Sequence, residues 1–122
     1  MTAVDDFLKA IEKAAIDSCD AWSADCVMDA TVPNWRFRSV GADAIRSVYG
    51  EWFAYPSVLV DLRRWIVPDG EIIEYVHRFR GEEGPLEAHH LHVLQLKGAR
   101  IVADTVFCGG QWSAAQLAEM RR

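Results

Sequence analysis

All four histidines of this 122-residue sequence fall between Glu71 and Cys108, where three alternating stretches can be read. Ile73, Tyr75, His77 and Phe79 alternate in the first. Ala88, His90, His92, Leu94 and Leu96 do so in the second, and Val102, Asp104, Val106 and Cys108 in the third. In an extended chain, residues two apart share a face, so three strands would gather a phenol, three imidazoles and a carboxylate on one side of a sheet. An imidazole, with an ordinary pKa of about 6.5, both takes and gives a proton near neutrality. Such general acid-base work contributes roughly 10²–10⁴-fold to a rate. A carboxylate beside an imidazole fixes its tautomer and raises its basicity, and a phenol donates a hydrogen bond to a substrate oxygen. His92 and Asp104 are therefore the expected catalytic pair, with His77, His90 and Tyr75 beside them. The chemistry would be elimination, isomerisation or cyclisation. His89 has the opposite parity and is expected at the surface. No serine or cysteine sits in a recognisable nucleophile motif, and Cys108 lies at a strand end with no evident base.

Turn chemistry separates the three strands, read as Glu71 to Arg80, Leu86 to Lys97 and Arg100 to Cys108. Gly81-Glu82-Glu83-Gly84-Pro85 and Lys97-Gly98-Ala99 stand between them. Loops of four and three residues would pair His77 with His90, Tyr75 with His92, and His92 with Asp104. Upstream, Val4, Phe7, Leu8, Ile11 and Ala15 recur at helical spacing behind a capping Thr2. Ala21, Trp22 and Cys26 suggest a second, short helix capped by Asp17 or Asp20 and ending near Asp29, which would act as a capping residue. Ala30 to Asn34 reads as a short strand bent by Pro33. Arg36 to Val40 is a linker or second short strand. A third helix runs from Gly41 through Phe53, with Ile45, Val48, Tyr49 and Trp52 on one face. Ser57 to Val67 is a strand, and Ser113 and Gln116 have capping-box spacing ahead of a last helix to about Met120. Helices first and strands after describe an α+β domain in which one sheet curls around the helices.

With 51% hydrophobic residues the chain suits one compact domain over residues 1–122. A net charge of -5 and the lack of any lysine/arginine cluster beyond two terminal arginines exclude nucleic acid and membrane as main partners. Three cysteines, Cys19, Cys26 and Cys108, with no CxxC spacing read as free thiols in a reducing cytoplasm. No signal peptide or transmembrane pattern is seen, so a cytoplasmic location is expected. The outward parity of the strands, Val76, Leu91, Val93, Ile101, Ala103 and Phe107, is too apolar for a solvated face, and a homodimer is expected to cover it.

Asp29-Ala30-Thr31-Val32, followed by Gly41-Ala42-Asp43-Ala44-Ile45-Arg46-Ser47-Val48-Tyr49 and, late in the chain, Gly98-Ala99-Arg100-Ile101-Val102, resembles the nuclear transport factor 2-like superfamily. Within it the sequence is most similar to steroid delta-isomerases and SnoaL-like polyketide cyclases. The resemblance spans essentially the whole chain. It implies a cone-shaped domain, with N-terminal helices packed in the concave face of a curved, mostly antiparallel sheet around a pocket, and frequent dimerisation through the outer face. By the same resemblance the isomerase's proton-shuttling carboxylate falls on Asn34, its oxyanion-hole tyrosine on Ala10, the partner acid on His92 and the supporting tyrosine on Tyr49. Of these only Tyr49 is retained, which argues against steroid isomerisation by that mechanism, since an amide is no general base. The inward histidines and tyrosines also resemble the arrangement of the superfamily's scytalone dehydratases. The expected substrate lining is Asn34, Trp35, Tyr49, Phe53, Phe79, Val106 and Trp112, around a small hydrophobic, oxygen-bearing molecule. Three histidines and a carboxylate could hold a metal if they converged to about 2 Å around one ion. The resemblance implies neither metal nor cofactor, and none is expected. A non-catalytic ligand-binding module and a dimeric scaffold are the alternatives to an enzyme.

Overall fold

The computed structural model describes residues 2–121, so Arg122, one of the two terminal arginines, lies outside the described residues. Thr2 caps helix α1 (Ala3–Lys13): its hydroxyl accepts from the Asp5 N–H at 3.1 Å, and the Asp5 carboxylate accepts from the Thr2 N–H at 2.9 Å. These reciprocal bonds satisfy two donors that the first helical turn leaves free. Val4, Phe7, Leu8 and Ile11 form the buried stripe of α1, and Ala14, in the left-handed region at φ 53°, ends it.

The expected second helix is not formed. A single 3₁₀ turn, Ile16–Ser18, leads instead into the strand β1 (Trp22–Val32), which absorbs the predicted strand from Ala30. Cys26, Met28 and Ala30 are buried in strict alternation. Trp22 and Cys26, four apart, fit helix and strand equally, and burial against the sheet decides for the strand. Asp29 is accordingly no cap; it lies in β1 and pairs with Arg36 across the hairpin at 2.6 Å. Pro33 and Asn34 make the turn into β2 (Trp35–Val40), with Asn34 at φ 64°.

Gly41, at φ 94°, starts α2 (Ala42–Trp52), which buries Ile45 and Tyr49. Strands β3 (Ser57–Val67), β4 (Gly70–Gly81), β5 (Gly84–Lys97) and β6 (Arg100–Ser113) follow. The helix α3 (Ala114–Met120) closes the chain on the predicted Ser113/Gln116 capping box. The six strands form one sheet in the order β2-β1-β6-β5-β4-β3, antiparallel throughout except for β1 against β6. Helices α1 and α2 pack into its concave side and share one core with its inward residues. This is the α+β architecture that the pattern predicts.

Both hairpin registers differ from expectation. Only Glu82 and Glu83 form the first turn, so Gly81 pairs with Gly84, Tyr75 with His90, His77 with Ala88 and Ile73 with His92. Gly84, at φ 121°, takes a backbone conformation that lets it serve as a strand residue beside the turn. In the second hairpin Lys97 pairs with Arg100, and a bulge follows that leaves Val102 without a partner. His92 therefore faces Val106, and Asp104 faces Leu94. The same bulge reverses parity before it. Ile101 is fully buried in the core rather than on the outer face. Val93 and Phe107 do lie outward, 41% and 47% exposed. Among the described residues no helix is long and apolar enough to cross a membrane.

Candidate functional site

Each catalytic candidate comes from an inward position of β4, β5 or β6, and all five are buried: Tyr75, His77, His90, His92 and Asp104 are at most 3% exposed. Despite the shifted register His92 and Asp104 meet, because diagonal neighbours on adjacent strands lie within reach of long side chains. His92 Nδ1 lies 3.1 Å from Asp104 Oδ1. The Tyr49 hydroxyl donates to Asp104 Oδ2 at 2.5 Å and stands 3.4 Å from His92 Nδ1. On the other side of the ring, the Tyr75 hydroxyl is 2.8 Å from His92 Nε2. Burial, joined by the charge of Asp104, raises both phenols well above their ordinary pKa. They remain protonated and available to donate. One proton assignment satisfies the whole chain: Tyr49 and His92 Nδ1 donate to Asp104, and Tyr75 donates to His92 Nε2.

Aromatic residues from the helices cover each imidazole. Phe7 meets His92 edge-on at 5.3 Å, Trp52 lies over His90 at 5.7 Å, and Phe53 meets His77 edge-on at 5.0 Å. Phe79 stacks on His77 at 4.6 Å. His77 and His90 differ from His92 in that His77 Nε2 and His90 Nδ1 are buried with no hydrogen-bond partner. Burial lowers the pKa of His77 to about 4, and burial reinforced by the neighbouring imidazoles lowers that of His90 well below its ordinary value. Both are neutral at pH 7.

These two imidazoles line a cavity of about 170 Å³, bordered by Trp52, Cys108, the Val32-Pro33 corner and the Gly110-Gln111 stretch and open to solvent on one side. Gly110, at φ 91°, allows β6 to approach the hairpin: a Cβ there would lie 2.9 Å from Pro33 Cγ. A larger concavity of about 570 Å³ lies at the start of α2, away from the histidines. Its arginines are already paired, Arg46 with Asp43 at 2.6 Å and Arg100 with Asp20 at 2.7 Å. Trp22, which borders that concavity, also has a buried nitrogen without a partner, Nε1, but an indole N–H does not exchange its proton near neutrality; the two imidazoles, which can, centre the site on the smaller cavity.

Of the expected lining, Phe53, Phe79, Tyr49 and Val106 are buried on the inward side. Asn34 is not there: it is exposed at the tip of the β1–β2 turn, where Pro33 and a left-handed backbone require it. Trp35 begins the edge strand β2 and is 68% exposed, and Trp112 pairs with Glu87 on the outer face beside His89 and Phe107. Conversely, Trp52 and Cys108 belong to the cavity wall. Trp52 shares the helical face of Tyr49, a signal present in the sequence. Cys108 gains a neighbour from the register that puts His90 directly opposite it. Among the described residues no three histidine, cysteine or acidic side chains converge as a metal would require.

No protein-family model matches the sequence, and neither does any curated protein. Solved structures do. The chain superposes on an NTF-2 like protein of unknown function from Burkholderia xenovorans with a TM-score of 0.69 at 15% identity, covering 97% of this chain and 88% of that one. The chain has the nuclear transport factor 2-like fold. Two further structures with this fold carry descriptions of activity. One is an LEH-like epoxide hydrolase from M. tuberculosis (TM-score 0.67, 14% identity, 96% of this chain and 84% of that one). The other is a candidate polyketide cyclase from Sinorhizobium meliloti (TM-score 0.62, 17% identity, 85% and 92%). At these identities the likeness is one of fold, and the nuclear transport factor 2-like scaffold carries many chemistries.

Proposed function

We propose that this is a small-molecule enzyme that performs acid-base chemistry of isomerase, dehydratase or cyclase type on a hydrophobic, oxygen-bearing substrate. The observation that carries this reading is the pair of buried imidazoles, His77 and His90, that line one cavity and make no hydrogen bond within the described residues to hold them, His77 Nε2 and His90 Nδ1 being buried without a partner. A buried polar atom without a partner is costly, and such atoms in a cleft mark functional sites. His77 and His90 touch the substrate, and the hydrogen bonds and charge that it brings to these otherwise unpartnered rings raise their basicity toward the range in which they accept and return its proton. The Tyr75-His92-Asp104-Tyr49 chain behind them fixes the surrounding polar geometry, and the Asp104 carboxylate offsets positive charge that develops on the imidazoles. The candidate cyclase and the epoxide hydrolase among the structural neighbours support a reaction of this general kind.

Exchange of substrate protons with deuterated solvent tests the reading, because an acid-base enzyme washes label into the acidic carbon of any carbonyl compound that it holds productively. A panel of small ketones and enones, followed by NMR, should include members whose exchange is accelerated. His90→Gln and Asp104→Asn should slow that exchange by roughly 10²-fold. Compounds that bind yet exchange no faster than in buffer would sink it.

A second reading has its own support: His92 is fully buried and both its nitrogens are engaged, as in a network that only holds the pocket wall of a non-catalytic binding module. Binding without exchange is its signature. We also propose that a second copy of the chain covers the outer face around Val93 and Phe107. Sedimentation should then show a dimer that Phe107→Glu converts to monomer, and a monomeric wild-type protein would refute it.

A further inference from the structure

Taken as the ligand site of the proposed function, the cavity beside His77 and His90 has features that select among ligands. Its volume of about 170 Å³ is close to the roughly 150 Å³ that holds a benzene ring in an engineered apolar cavity, and well below the 300–1,000 Å³ of sites for drug-sized molecules. One six-membered ring with a small substituent therefore fills it. Among the residues that line it there is no acid, lysine or arginine. A charged ligand would lose its hydration and find no opposite charge, which is far more costly than burying a hydrogen-bonded neutral group.

Of the polar side chains that line it, Gln111 is exposed at the rim and Cys108 is a weak partner, so polar recognition at the buried end falls to the two imidazoles, whose ring centroids are 6.1 Å apart. That spacing is short enough for one oxygen to lie about 2.8 Å from a nitrogen of each ring. A neutral imidazole offers a donor at one nitrogen and an acceptor at the other, so the two rings together can supply one N–H and one lone pair. A hydroxyl is the group that answers both at once. A carbonyl or ether accepts only, a carboxylate is charged, and a methyl group leaves both nitrogens unpaired.

We propose that His77 and His90 form a hydroxyl-recognition pair that selects an uncharged, single-ring alcohol, phenol or enol, the ligand oxygen accepting from one imidazole and donating to the other. Trp52 and Phe53, packed on His90 and His77, hold the two rings in place. The pair thus defines the end of the cavity where the substrate's oxygen lies.

Calorimetric titration of the intact protein with phenol, toluene and benzoate tests this. The three share one ring and differ at one substituent. Phenol should bind at least about tenfold more tightly than toluene, since a site built to bond a hydroxyl penalises its absence, and benzoate should bind least. In His77→Leu and in His90→Leu the preference for phenol over toluene should fall toward one while toluene binding is kept, which also shows that the variants are folded. Equal binding of phenol and toluene by the wild type, as when a bound water answers both nitrogens, would overturn the proposal, as would benzoate matching phenol. None of these ligands needs to react, so selective phenol binding without proton exchange on the ketone panel would refute catalysis and leave the recognition pair standing.

Discussion

Acidification should destabilise this fold before its carboxylates are protonated, and His77 gives the magnitude. Its imidazole is held at about 4 in the folded chain against an ordinary value of 6.5. As pH falls through about 6.5 the unfolded chain takes up a proton that the folded chain refuses until about pH 4, so stability declines across that window. A depression of about 2.5 pKa units, at 1.36 kcal/mol per unit, corresponds to about 3 kcal/mol. That is a large share of the 5–15 kcal/mol net stability of a typical domain. His90, lowered for the same reason, acts in the same direction. The carboxylates act lower: Asp5, held down by the Thr2 N–H and Arg64, and Asp29, held down by Arg36, lose their contribution only as pH falls below about 4. The window between about 6.5 and 4 therefore isolates the imidazoles. Urea unfolding, followed by tryptophan fluorescence across this range, should show wild-type stability falling and His77→Leu falling less, by up to about 3 kcal/mol at the acid end. The lost ring contacts shift the variant by a pH-independent amount and leave the slope difference intact. Parallel curves for the two proteins would refute the reasoning.

Tyr49→Phe removes one of the two donors to a fully buried carboxylate and should cost about 1–3 kcal/mol, read as a lower urea midpoint with an unchanged m-value. Gly70→Ala should be more damaging for its size than any other alanine replacement in the sheet. Its Cβ would stand 1.8 Å from the Leu94 carbonyl oxygen, where only backbone can yield, so a loss above about 2 kcal/mol is expected; an unchanged melting temperature would contradict the β4–β5 register.

The strands carried their facing residues openly in the sequence, and their partners much less so. Period-two alternation depends only on local geometry, so Tyr75, His77, His90, His92 and Asp104 could all be assigned inward before any register was known. The register depends on which residues enter a turn. Gly81, Gly84 and Pro85 have turn chemistry, yet only the two glutamates between them form the loop. The resulting slip was even, so the inward face survived. At Ile101 it was not, because a bulge counts one residue more on one strand than on the other and leaves no mark in composition. Cys26 and Met28 are hidden by a different ambiguity, since Trp22 and Cys26 also suit a helix. The turn lengths set His92 directly opposite Asp104, whereas in the sheet the two side chains meet on the diagonal. The orphan nitrogens of His77 and His90, and the Trp52 wall beside them, depend on how a helix lies over the sheet, which no local pattern contains.

The parallel pairing of β1 with β6 has a consequence for the order of assembly. The four strands β3 to β6 are joined by tight connections and can zip together as they emerge during synthesis, whereas β1, made early, must wait for the last strand before Ile101 can bond back to Ala21 at 2.8 Å. Closing so long a loop delays the step that needs it. Asp104 stands in β6 beside Met28 of that late seam, so the acid, its tyrosine and its imidazole come together only as the chain completes. Pulse-labelled amide exchange should accordingly find β4 and β5 protected first and β1 last. A nascent chain that stops short of β6 would hold His92 with no acid to meet it.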